Sequence, residues 1–230
     1  MIHAFRRTHA APARGALALA AALVSSAVVA CSAPAPASEG AAAADTTSAA
    51  AGAPRDTGSH ASRQALLDRA DKVVEAIARR DWGTVAAMAH PERGVRFSPY
   101  GHVETGDDCA VTLGREQLAS LATDSTTRCW GHFDGTGEPI TMTFPAYYER
   151  FVHDRDYEDA SRGEPGERLG QGNTLSNIPA AFGSDATFVE YHVPGTEEYG
   201  GMDWGSLRLV FVPSGGEWRL VGVVHDQWTI

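Results

Sequence analysis

Apolar residues recur every three or four positions through Leu66, Leu67, Ala70, Val73, Val74 and Ile77, which predicts an amphipathic helix over 62–80. Ser62 stands where an N-cap is wanted, and Arg79-Arg80 suit the negative end of the helix dipole. Asp81 is the expected cap of a second, shorter helix through Trp82, Val85 and Met88, stopped at His90-Pro91. The pattern then changes to alternation: "GVRFSPY" at 94–100 reads as the first strand. "CWGHFDGTGEPITMTF" at 129–144 reads as two short strands around an Asp-Gly turn. Thr143 before Pro145 starts a helix with Phe144, Tyr148, Phe151 and Val152 on one side. Residues 154–177 are polar and glycine-rich, a loop long enough to suggest a functional or mobile segment. Three β-rich runs follow at 186–193, 206–212 and 217–226, and "PSGGE" makes the hairpin turn between the last two. Helices first and antiparallel strands last predict an α+β domain over 62–230, with N-terminal helices packed on a curved antiparallel sheet.

The first sixty residues follow another pattern. Arg6, Arg7 and Arg14 precede an apolar run from Ala16 to Ala30, with no acidic residue among them, so residues 1–30 read as an export signal. At fifteen residues the run is shorter than the roughly 20 needed to span a bilayer. Residues 31–61 are almost wholly Ala, Ser, Pro, Gly and Thr and offer no large apolar side chain to bury, the composition of a disordered tether. Removing the three leader arginines takes the formal charge from −10 to −13. An acidic chain without a basic cluster is poorly suited to nucleic acid or to anionic lipid.

Val28-Val29-Ala30-Cys31 resembles the lipobox of bacterial lipoproteins. The resemblance implies cleavage before Cys31, acylation of its thiol and attachment to the membrane through lipid; ordinary secretion is the alternative. Two or more acyl chains would suffice for stable anchoring. Such proteins face the periplasm from the inner or outer membrane, or the cell surface, and Ser32 after the cysteine is compatible with the outer membrane. Paired N-terminal helices, the run "RRDWGTVAAMAHPERGVRF" and a terminal three-stranded meander resemble the nuclear transport factor two-like, or cystatin-like, cup. "HPERGVRFSPY", "WGHFDGTGEPI", "GQGNTLSNI" and "GMDWGSLRLVF" also resemble a set of bacterial lipoproteins of unassigned function. Neither likeness supplies catalytic residues; the cup implies a cavity between sheet and helices.

Strand parity decides which side chains can reach such a cavity. Val221, Val223, His225 and Gln227 share one face by alternation, and Gly222, Val224, Asp226 and Trp228 the other, so His225 and Asp226 cannot act side by side. A carboxylate that orients His225 must come from elsewhere, with Glu190 or Asp203 as candidates. Glu190 and His192 share a face, and a buried Glu190 needs a cation, Arg208 or Arg96. The candidate catalytic set is therefore His225, His192 and Glu190, with a structural ion pair as the competing reading of Glu190. Arg96, Ser98 and Tyr100 alternate along the first strand and would suit a carboxylate or sugar, or a solvated face. With Arg208 and Trp204 they complete the candidate ligand-binding set. Trp130, Trp204 and Trp228 near strand ends would serve carbohydrate or peptide recognition if exposed, and plug the core if not.

Cys109 and Cys129 form an even pair beyond the leader, as a disulfide or as two separate thiols. The seven histidines outside the leader contain no His-x-x-x-His pair. "HDRDYED" begins like a calcium loop, but Asp159 stands where glycine is needed and Pro165 where the bidentate acid belongs. No metal and no cofactor is expected. Three function classes stay open: a lipid-anchored domain binding a small ligand or envelope partner, favoured; a cup-fold isomerase or hydrolase; and a structural or inhibitory surface protein.

Overall fold

The computed structural model describes residues 57–106 and 109–229, with side chains from Ser62 onward; all fall in one compact unit, Gly52–Ile230. The residues read as an export signal, Cys31 and the expected tether as far as residue 56 lie outside the described residues; residues 57–61, expected to close the tether, are helical instead. Among the described residues no helix is long and apolar enough to cross a membrane.

Helix α1 runs Thr57–Ala78, so Ser62 is not its cap but an interior residue, whose carbonyl accepts from Trp218 Nε1 at 3.0 Å. The helix closes through a Schellman motif: Asp81 N–H donates to Ala76 O and Arg80 N–H to Ile77 O, with Arg80 at φ 55°. An arginine tolerates that left-handed position here because its guanidinium lies 4.5 Å over the Tyr148 ring and pairs with Glu149. Asp81 then caps α2 (Trp82–Met88), accepting from Thr84 N–H at 3.0 Å. Strands β1 (Val95–Ser98) and β2 (Thr112–Leu113) follow, then helix α3 (Arg115–Ala119). The hairpin of β3 (Thr127–His132) and β4 (Pro139–Thr143) runs directly into α4 (Phe144–Phe151), which carries Pro145 in its first turn. Short β5 (Ser161–Arg162) and α5 (Ile178–Phe182) lead to β6 (Thr187–Val193), β7 (Gly205–Ser214) and β8 (Glu217–Gln227).

Six strands form a curved sheet in the order β2-β1-β8-β7-β6-β5, antiparallel except for β1 beside β8. Gly215 and Gly216, both at positive φ, make the two-residue turn between β7 and β8. This is a mixed α+β domain, the class expected. The sheet is buried on both faces. Val189, Tyr191, Leu207, Leu209, Phe211, Leu220 and Val223 join one cluster with buried residues of α1, α2 and α4. Val210, Val212, Val221 and Val224 join Val103, Ile178 and Phe182 in a second. Strict alternation fails once: a bulge opposite Val210 and Phe211 turns Val221 to the second cluster, beside Gly222 and Val224. Val221 therefore does not share a face with Val223 and His225.

Aromatic rings fill the first face of the sheet. Trp130 stacks on Tyr147 at 4.3 Å, and Phe97, Phe144 and Phe151 surround them at 5.3–6.2 Å. Each such ring buries on the order of 150–250 Å² and prefers these offset and edge contacts. The disulfide Cys109–Cys129, with its Cα atoms 4.5 Å apart, ties the segment after β1 to β3.

Candidate functional site

Glu190, Arg208 and Asp226 meet on the second face of the sheet, all fully buried. Cross-strand pairing sets Glu190 opposite Arg208, and Asp226 opposite Ser206 one step along. Arg208 donates through Nε to Glu190 Oε2 and through Nη2 to Asp226 Oδ2, each at 2.7 Å. Burial by itself works against its charge, and the two carboxylates more than offset that, holding the guanidinium above its ordinary pKa. The glycine-rich loop closes the site from outside: Gly170 N–H donates to Glu190 Oε1 at 2.7 Å and Arg168 reaches Asp226 at 3.4 Å. A Cβ on Gly170 would stand 2.5 Å from Ser206 Oγ, and one on Gly101 2.8 Å from Asp226 Oδ2. Arg208 is thus the cation that meets Glu190, in a sealed network. Arg96 is not: it donates to Glu104 O at 2.8 Å.

His225 lies on the opposite face, edge-on to Phe151 at 5.8 Å, so the structure does not bring it to Glu190 or His192. Its Nδ1 is 2.9 Å from Pro99 O, an acceptor only, which fixes the proton on Nδ1. The bare Nε2 looks at Asp154 Oδ1, 3.3 Å away, without a hydrogen bond. Burial lowers the imidazole to a pKa of about 4. The ring is therefore neutral at pH 7, and the close approach of Asp154 is not an ion pair there. Neither sequence candidate supplies this carboxylate: Asp203 is bonded to Thr196 instead. Asp154 is positioned by Tyr157, whose hydroxyl donates to Oδ1 at 2.8 Å, and by Arg155. His192 keeps its place beside Glu190 on the strand, and burial lowers its pKa. Its Nδ1 meets Ser206 Oγ at 2.8 Å, beneath the glycine loop, and it borders a cleft of about 450 Å³ with Arg155 and Ser161.

The first-strand row also divides. The strand stops at Ser98, whose hydroxyl donates to Tyr100 O at 2.8 Å, and the turn that follows carries Tyr100 to the first face, against Phe151. Arg96 borders a different small cleft beside Phe182. Of the three tryptophans near strand ends, Trp130 and Trp204 are buried, the latter closing over Gly170 and Gly172. Trp228, 39% exposed, remains open. In "HDRDYED", Tyr157 is a buried anchor within a 3-10 turn, and His153, Asp156 and Glu158 bring donor atoms within 4.8 Å of one another at the surface. His153 Nε2 and Glu158 share a hydrogen-bond contact of 3.0 Å.

A cleft of about 400 Å³ opens where β8 ends, bordered by Tyr100, Phe133, Glu138, Arg150, Gln227 and Trp228. The hairpin turn supplies Phe133 and Glu138, α4 supplies Arg150, the turn after β1 supplies Tyr100, and the end of β8 and the residue after it supply Gln227 and Trp228. Arg150 lies 4.7 Å over the Phe133 ring and 5.4 Å from Phe151. Among the described residues it makes no ion pair with a carboxylate. Burial raises the pKa of Tyr100, so its phenol is protonated and can donate.

Comparison with known proteins adds little. No protein-family model matches the chain, and no curated protein sequence matches it. A solved structure from Xanthomonas campestris, named after the calcium/calmodulin dependent protein kinase II association domain, aligns at 12% identity over 71% of this chain and 84% of its own, with a TM-score of 0.27. A score that low carries no argument about function.

Proposed function

We propose that this chain is an extracytoplasmic bacterial lipoprotein, anchored through acylated Cys31 and set off from the membrane by the residues between it and α1. Its domain is of the nuclear transport factor two-like kind, with helices packed on the curved sheet, and it binds a small polar ligand or an envelope component without catalysis. One observation carries this reading. The cup interior is occupied by aromatic rings, whereas the rim cleft presents Arg150, Trp228 and Tyr100 to solvent in a setting of mixed polarity, the usual character of a ligand site. Catalysis by His225, His192 and Glu190 is disfavoured because His225 and Glu190 occupy opposite faces and neither is exposed. The anchor rests on the leader and lipobox alone.

Two experiments test the reading. In cells fed an alkyne fatty acid, the wild-type chain acquires label and Cys31→Ala does not; label retained in Cys31→Ala overturns the anchor. Native mass spectrometry of the purified chain after incubation with a small-molecule extract of cell envelopes should show a retained ligand. Retention should be lost in Arg150→Ala/Trp228→Ala with thermal unfolding unchanged. Equal retention in both, or none in either, overturns the cleft.

A further inference from the structure

We infer that the rim cleft takes a neutral saccharide; the inference rests on the cleft being the binding site and narrows what it binds. Three aromatic side chains border it: Trp228 at the terminus, Phe133 on the hairpin turn and Tyr100 after β1. The C–H faces of a pyranose ring are apolar and pack on such rings, while its hydroxyls need both donors and acceptors. The cleft supplies both. Arg150 offers guanidinium N–H groups, with its central carbon 4.7 Å from the Phe133 ring centroid and no ion pair to a carboxylate among the described residues. The Tyr100 phenol adds a donor, the Glu138 carboxylate accepts, and the Gln227 amide does either.

Charge decides among the alternatives. A carboxylate or phosphate ligand would satisfy Arg150 but would meet Glu138 and Asp134 at the same cleft, on a chain of formal charge −10. A cationic ligand would suit those acids and be repelled by Arg150. Vicinal hydroxyls pair with an arginine and a carboxylate at once, since each hydroxyl both donates and accepts. A volume of about 400 Å³ falls within the range of small-molecule sites. Asp134 is partly committed to its own turn, where Oδ1 accepts from Gly135 N–H at 3.1 Å, which leaves Glu138 as the freer acceptor.

Isothermal titration calorimetry of the purified chain with maltotriose, cellotriose and N,N′,N″-triacetylchitotriose tests this, with galacturonic acid and trilysine as charged controls. At least one neutral trisaccharide should bind. Trp228→Ala and Glu138→Gln should each weaken it about tenfold or more, with unfolding temperature unchanged, and the charged controls should bind more weakly. Binding of equal strength in Trp228→Ala, or preference for a charged control, overturns the inference. If no trisaccharide binds while envelope extract still yields a ligand that requires Arg150, the saccharide assignment falls and the cleft stands. If neither binds, both fall.

Discussion

Replacing Arg208 by methionine separates a sealed structural network from a hydrated site. The guanidinium is fully buried and makes 2.7 Å contacts with two fully buried carboxylates. Methionine fills much of the volume but leaves Glu190 with the Gly170 N–H and Asp226 with Arg168 at 3.4 Å. Removing one partner of a buried ion pair costs about 3–5 kcal/mol, because the remaining charge is desolvated and unpaired. For a domain of this size each kcal/mol moves the midpoint by about 2–4 °C, so unfolding should fall by roughly 6–20 °C. Denaturant unfolding of Arg208→Met at pH 8 should show a loss of that size. A loss below about 1 kcal/mol at pH 8 would mean that water reaches these groups, and the sealed network would be wrong.

Further expectations can be checked on the same purified chain. His225 titrates at about 4 when folded, below its ordinary 6.5, so the unfolded chain binds the extra proton and stability drains away as pH falls from 6.5 towards 4. The full effect is about 3 kcal/mol; stability measured against pH should flatten over that window in His225→Gln, and equal slopes in both proteins would refute it. Reducing Cys109–Cys129, which closes a separation of 20 residues, should cost about 3 kcal/mol. Thermal unfolding with and without reductant reads this, and alkylated mass should rise only after reduction. Gly170→Ala should cost about 1–3 kcal/mol, because its Cβ would press on Ser206 Oγ and Trp204; unchanged denaturant stability would mean that the loop does not seat there.

Much of the fold was legible because local periodicity and caps agree with the packing. The Leu66 to Ile77 stripe, the Asp81 cap, Pro145 and the Gly215-Gly216 turn all stand as read, within a few residues. What failed depended on tertiary geometry. The bulge at Val221 follows from strand pairing that alternation alone does not reveal. Ser62 looked like a cap because it precedes the apolar stripe, yet the helix begins at Thr57, in residues without a hydrophobic period. The site was less visible still. Parity placed His225 and Asp226 on opposite faces, and pairing by charge brought Glu190 to Arg208. Arg150, Phe133 and Tyr157 were not singled out as site residues, and Asp154 entered only through the calcium-like run, since their roles arise where α4, the hairpin turn and the loop after α4 converge. The local signals for the cleft were Tyr100 and Trp228, read as recognition residues, and the Asp134-Gly135 turn in the hairpin that carries Phe133 and Glu138.

Fluorine NMR of the chain labelled with 5-fluorotryptophan probes the rim and the interior together, because Trp228 borders the cleft and Trp130 sits in the aromatic cluster. On adding envelope extract, the Trp228 resonance, assigned through Trp228→Phe, should move while that of Trp130 stays fixed. A shift at Trp130, or none at Trp228, would contradict binding at this cleft beside an interior filled by aromatic rings.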